Sequence, residues 1–344
     1  MDKTSRRYHQ HPVAEANENN PMGSLEPKEF YTRHGVSHSS SFFVNAAGLK
    51  IFTQAWMPLP PTKPIGIIHL IHGYTGDSSY FIELTAVYFA KVGFAACAID
   101  LQGHGHSQGL AAHIPDIRPV VEDCTVFFNS FYPRPTPSEP KLPRFLYAES
   151  FGGAIALLLL INLRTHQNEK ALLRPYDGLI LNGAMCGISK KFKPPYPLEH
   201  ILCFFAAIIP KWPVVPTRGN VVKKSLKMEW KRRLAVSNPR RYKGSPRTAT
   251  AYEMLRLCKE VQKRCGDVVL PLLILHGGDD GVCDPASAEK LHRRVGSEDK
   301  TMKIYPGMWH QLVGENDDDV DLVFGDILDW LLLRVTAFNV PRAA

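Results

Sequence analysis

The chain has 344 residues, 44% of them hydrophobic, which is enough for one large α/β domain with an insertion and excludes a disordered or low-complexity polymer. Seven cysteines (Cys97, Cys124, Cys186, Cys203, Cys258, Cys265, Cys283) are scattered, odd in number and without a C-x-x-C pair; this supports neither a disulfide framework nor a zinc knuckle and fits a reducing, cytoplasmic compartment. The net charge of +8 is unevenly held: residues 186–260 carry 17 Lys/Arg against 4 Asp/Glu, a net of +13, so the remainder is about −5.

Residues 1–20 are charged and polar, with no apolar core of a leader peptide, and residues 1–27 read as a flexible polar tail. No run reaches the ~18 apolar residues of a membrane span. Residues 41–57 alternate like a hairpin that turns near Asn45–Gly48, and the prolines of 58–64 end it. An apolar strand is expected at 65–71, a helix at 81–92, a strand at 94–100 and a helix at 117–131. After a Pro-rich loop come a short strand at 145–148, a helix opening on Gly152, Gly153 and Ala154, and a strand at 178–183. Beyond residue 264, strands at 270–276 and 302–305 flank a helix at 285–295, and an amphipathic helix covers 320–335. Strands alternating with helices at this spacing predict a mainly parallel sheet with helices on both faces. The expected division is a tail (1–27), a core in two parts (28–185 and 265–344) and an insertion (186–264).

Two serines compete for the apex of a strand–turn–helix elbow, where a nucleophile would be lifted above the sheet edge. Gly105-His-Ser107-Gln-Gly109 matches G-x-S-x-G letter for letter, but Pro115 and Pro119 follow it where a helix should begin. Ala148-Glu-Ser150-Phe-Gly152 breaks the spelling and has the context, so Ser150 is the expected nucleophile. A serine hydroxyl needs a base, and the base needs an orienting group. His310 follows the last strand in a loop, whereas His276 ends a strand and His292 lies within a helix, so His310 is the expected base. Among Asp279, Asp280 and Asp284, the last precedes Pro285 like a helix cap, which leaves Asp280 as the expected acid and Asp279 as its rival. Backbone N–H groups of Tyr74 and Phe151 are the expected oxyanion donors, with Gly73 leaving room for substrate. No cofactor is called for. Gly103-x-Gly105-x-x-x-Gly109 is one residue too long for a dinucleotide fingerprint, and His104 and His106 lack the rest of a metal shell.

With these residues placed, the chain resembles the α/β-hydrolase superfamily. More closely, it resembles the plant monoacylglycerol lipase and lysophospholipase-like esterases, a group that includes caffeoylshikimate esterases. The resemblance spans about residues 29–333. It rests on His72-Gly-Tyr74, Asp100-Leu-Gln-Gly-His-Gly-His-Ser-Gln-Gly-Leu110, Glu149-Ser-Phe-Gly-Gly-Ala154, Ser237-Asn-Pro-Arg-Arg-Tyr-Lys-Gly-Ser-Pro-Arg247, His276-Gly-Gly-Asp-Asp280 and Lys303-Ile-Tyr-Pro-Gly-Met-Trp-His310. It implies a serine hydrolase of carboxylic esters, with Asp280 in the acid position. Ala148 and Phe151 depart from the glycine and methionine usual in that group.

The insertion falls where such folds carry a cap. Residues 198–210 are apolar over their second half, with Lys190, Lys191, Lys193 and Lys211 nearby. Such a helix fits docking on an anionic lipid surface, or packing over the active site, where Phe204 and Phe205 would line the pocket. No nucleic-acid motif accompanies the basic residues. The expected substrate is a monoacylglycerol or lysophospholipid, the enzyme alternative a phenolic acyl ester, and the non-enzyme alternative a ligand-binding receptor on the same fold.

Overall fold

A computed structural model describes residues 10–131, 141–165, 175–187, 198–215 and 221–339. A short helix α1 (Pro27–Arg33) leads into the hairpin β1 (Val36–Val44) and β2 (Lys50–Pro58). Alternating strands and helices follow: β3 (Ile67–Ile71), α2 (Phe81–Lys91), β4 (Ala95–Ile99), α3 (Ile117–Ser130), β5 (Arg144–Glu149), α4 (Phe151–Thr165) and β6 (Gly178–Asn182). The insertion contributes α5 (Leu198–Ile208), α6 (Val221–Ser225), α7 (Glu229–Ser237) and α8 (Thr248–Arg264). The core resumes with β7 (Leu272–Gly277), α9 (Pro285–Arg294), β8 (Lys300–Tyr305) and α10 (Asp317–Asn339).

Among the described residues the strands form one eight-stranded sheet in the order β1-β2-β4-β3-β5-β6-β7-β8. The pairs β1–β2 and β2–β4 are antiparallel, and from β4 to β8 every pair is parallel. Side chains along each inner strand alternate between two cores. Leu146, Ala148, Leu179, Leu181, Leu272 and Ile274 meet α3, α4 and α8, while Phe145, Tyr147, Ile180, Leu273 and Leu275 meet α2 and α10. Because both faces are covered, the inner strands are apolar throughout rather than alternating. The chain reverses direction across the sheet between β3 and β5, so the crevice beyond their carboxyl ends is the place where such a sheet holds a ligand.

The expected tail needs correction. Residues 1–9 lie outside the described residues, but residues 10–27 pack on the core. The His11 backbone N–H donates to Asp321 at 2.8 Å, its ring lies 4.2 Å from that of Phe324, and Val13 and Met22 are buried. Too few apolar residues are spread through this segment to show a period, and their partners are some 300 positions away, as the His11–Asp321 separation of 310 illustrates.

The insertion is bound to the core through α8. The Thr250 hydroxyl accepts from the Ile114 N–H at 2.9 Å and donates to the Ala112 carbonyl at 3.2 Å. Glu253 accepts from the Ile117 N–H at 2.8 Å, satisfying a donor at the start of α3, and Arg256 holds that carboxylate with contacts of 2.7 and 2.6 Å.

Candidate active site

Ser150 stands between β5 and α4 with a backbone φ of +51°, the left-handed region that a non-glycine residue enters at a cost. Its neighbours explain how the turn closes so tightly. A Cβ on Gly152 would lie 2.4 Å from the Ile71 carbonyl oxygen and 2.6 Å from that of His72, and one on Gly153 would lie 2.4 Å from the Ala184 methyl. Glycine at these two positions lets α4 approach the end of β3 and the residues after β6 this closely. Ala148, the departure from the usual glycine, is buried and registers with Ile71 on one side and Leu181 on the other.

His310, in the loop after β8, directs Nε2 to the Ser150 hydroxyl at 2.9 Å. Its Nδ1 donates to Asp280 Oδ2 at 2.7 Å. The other Asp280 oxygen accepts from the Val282 and Cys283 N–H groups at 2.7 and 2.9 Å, so the loop after β7 fixes the carboxylate. Burial pushes the Asp280 carboxyl up, yet the charge of His310 and the contacts of His276 and His310 outweigh it and hold the group well below the usual carboxylate range. His276 Nε2 lies 3.1 Å from Asp280 Oδ2 without hydrogen-bond alignment.

The competing residues have other occupations. Asp284 caps α9, accepting from the Ala286 N–H at 3.1 Å, and Asp279 is exposed. Ser107 is buried, 55 positions from the Phe52 N–H it accepts from at 2.8 Å. His104 bonds the Gln102 carbonyl through Nδ1, and the His106 ring lies 4.6 Å from that of Phe52.

The loop after β3 is held by His72. The Leu101 N–H donates to His72 Nε2 at 3.0 Å, so the ring proton sits on Nδ1, which donates to the Gly73 carbonyl at 2.8 Å. The Gly76 N–H donates to the same carbonyl at 3.1 Å. In a trans peptide the following N–H, that of Tyr74, points the opposite way. Neither the Tyr74 nor the Phe151 N–H has an acceptor among the described residues. A Cβ on Gly73 would lie 3.0 Å from the Ser150 Cβ, so this glycine keeps the approach to the hydroxyl open.

These groups open onto a cavity of about 450 Å³ lined by Ser150, His310, Gly73, Tyr74 and Phe151. Its roof comes from the insertion: Val221 and Val222 on α6, Met254 and Leu255 on α8, and Arg241 and Tyr242 on the loop between α7 and α8. The expectation for Phe204 and Phe205 is corrected: they do not line the cavity but face outward from α5, 61% and 37% exposed. An apolar run does not reveal which side of a helix its neighbour covers, and here Leu202 is the inward residue, packed with Val215, Ala251 and Leu255. The roof residues on α8 were readable from the helical spacing of Ala251, Met254, Leu255 and Cys258. Lys190, Lys191 and Lys193 lie outside the described residues.

A family model described as serine aminopeptidase, S33, matches residues 62–317. The chain is 33% identical to the caffeoylshikimate esterase of Arabidopsis thaliana, over 94% of this chain and 94% of that protein. It is 26% identical to the monoacylglycerol lipase of Mycolicibacterium smegmatis, over 86% of this chain and 98% of the relative. Among solved structures, a soluble variant of the Saccharomyces cerevisiae monoglyceride lipase in complex with a substrate analogue superposes with a TM-score of 0.71 at 22% identity, covering 87% of this chain and 95% of that one. That likeness shows the shared fold.

Proposed function

The chain belongs to the serine aminopeptidase S33 family within the α/β-hydrolase superfamily, and on that footing we propose that it hydrolyses carboxylic esters through an acyl-enzyme on Ser150. The observation that carries this reading is the contact series Ser150 Oγ–His310 Nε2–Asp280 Oδ2, at 2.9 and 2.7 Å, beneath a cavity. His310 takes the hydroxyl proton as Ser150 attacks the carbonyl carbon, then gives it to the departing alcohol. Asp280 keeps the imidazole in the tautomer with its proton on Nδ1. The Tyr74 and Phe151 N–H groups meet the oxyanion. Water then attacks the acyl-enzyme, with His310 again the base.

The apolar part of the cavity's roof, Val221, Val222, Met254 and Leu255, supports an acyl chain, as in a monoacylglycerol or lysophospholipid. Phenolic acyl esters are the second reading, favoured by the 33% identity to the Arabidopsis caffeoylshikimate esterase against 26% to the mycobacterial lipase. We read residues 186–264 as a cap over the site. The outward apolar face of α5, with Ile201, Phe204 and Ile208 exposed, supports contact with a lipid surface. No described helix is long and apolar enough to cross a membrane.

Fluorophosphonate labelling tests the reading: the parent should acquire one covalent adduct, Ser150→Ala none, and a p-nitrophenyl ester should show a burst of p-nitrophenol. An adduct retained by Ser150→Ala sinks it. A receptor that only binds would bind an acyl ester without releasing its alcohol.

A further inference from the structure

The loop between α7 and α8 holds four basic side chains, Arg240, Arg241, Lys243 and Arg247, of which Arg241 and Lys243 line the cavity. Arg247 is engaged in the fold. It donates to the Ala111 carbonyl at 2.8 Å and to the Lys211 carbonyl, and lies over the Tyr242 ring. Arg241 is different. Its backbone N–H donates to the Asn238 carbonyl at 3.3 Å, but its guanidinium makes no hydrogen bond or ion pair with any described residue.

Two acids, Asp77 and Glu149, line the same cavity, and neither forms an ion pair with Arg241; each accepts from other groups. Asp77 accepts from the Asn238 side chain at 2.8 Å through one oxygen and from the Ser79 N–H at 3.0 Å through the other, which also takes the Ser79 hydroxyl. Glu149 accepts from the Tyr147 hydroxyl at 2.6 Å. Burial pushes the Arg241 pKa down, and the field of Asp77 only partly offsets this. Arg241 is half-buried on the cavity wall, so its unpartnered guanidinium is open to a ligand there, and its planar fork matches a carboxylate or phosphate with two parallel hydrogen bonds.

Resting on the ester-hydrolase reading, we infer that Arg241 is a specificity residue that binds an oxyanion on the substrate, so that the preferred ester carries a carboxylate or a phosphate away from its scissile bond. An uncharged monoacylglycerol would fill the apolar part of the cavity and leave the guanidinium unpaired. Ester and anion would then be read together by one cavity, the carbonyl at Ser150 and the charge at Arg241.

The test compares matched pairs. One pair is the cinnamoyl ester of a hydroxycarboxylic acid and the same compound with its carboxylate methylated. The other is a monoacylglycerol and its 3-phosphate with an identical acyl chain. Expected is a higher kcat/KM for at least one anionic member in the parent. That preference should fall on the order of tenfold to a hundredfold in Arg241→Met, chiefly through KM, and recover in part in Arg241→Lys. Which pair responds identifies carboxylate or phosphate as the source. A parent with no preference in either pair, or a preference that survives Arg241→Met, overturns the inference. Should no ester be hydrolysed, the esterase reading fails by itself. Calorimetric titration of the same compounds then decides: tighter binding of an anionic member, lost in Arg241→Met, sustains the anion site, and equal binding removes it.

Discussion

The Ser107 hydroxyl donates to the Asp100 backbone carbonyl at 2.6 Å while accepting from the Phe52 N–H, joining the loop after β4 to strand β2. Both its hydrogen-bonding directions are used inside the fold. Ser107→Ala should therefore leave fluorophosphonate labelling intact and lower stability by about 1–3 kcal/mol, because it strands a buried donor. Labelling gels together with urea denaturation check both halves. Lost labelling in a stably folded Ser107→Ala protein would contradict the assignment.

The proposed acid, Asp280, should separate from its neighbour just as cleanly. Asp280→Asn should cost about four orders of magnitude in kcat, since an amide favours the wrong imidazole tautomer. Asp284→Ala should cost only about 1 kcal/mol of stability, through the cap of α9. Steady-state kinetics and thermal melts on both variants decide the point, and an inactive but fully stable Asp284→Ala protein would reverse the roles.

Much of this organisation can be read from the chain. The inner strands declare themselves because burial on both faces makes them short continuous apolar runs, and Ser150 because glycines follow it where a helix must touch a strand. What could not be read has physical causes. The 3-10 turn at Pro12–Glu15 and helix α1 are too short to show a period, and their partners are distant in sequence. Helix α5 is apolar nearly all round, so its sequence did not tell which face was covered. Arg241 looked like one more cation in a basic segment, and only its lack of partners sets it apart from Arg247.

Gly152 tests the close contact between α4 and β3. In Gly152→Ala the new methyl would meet two backbone carbonyl oxygens at 2.4 and 2.6 Å, neither of which can swing aside. Stability should fall by on the order of 3 kcal/mol, with activity falling as the elbow shifts. A melting temperature equal to that of the parent would mean the helix can move away freely.

Glu83 carries a pH dependence. Burial raises its pKa from 4.5 to about 7, against the opposing hydrogen bond from the Tyr31 hydroxyl. Between these values the folded protein holds a proton that the unfolded chain has released. Stability should thus be highest below the unfolded value and fall as pH rises through the folded one, by about 3 kcal/mol in all. Glu83→Gln keeps an acceptor for Tyr31 and should flatten this slope. Urea midpoints for the parent and variant across that range provide the check; equal slopes would show that Glu83 is not the group responsible.

The exposed face of α5 predicts vesicle binding that weakens when Phe204 and Ile208 are both changed to serine. As both face outward, hydrolysis of a short soluble ester should hold in the same variant. Co-sedimentation with anionic vesicles reads the first effect and a soluble-ester assay the second. Unchanged sedimentation would assign that face to something other than lipid.

Helix α8 satisfies backbone donors at Ile114 and Ile117, so its removal would unbind the start of α3 as well as uncover the cavity. The unit that can be exchanged between relatives is therefore smaller than the whole interval between β6 and β7. A chimaera that takes a foreign segment ending before Thr248 keeps these bonds, whereas one joined at Arg264 discards them and must supply its own.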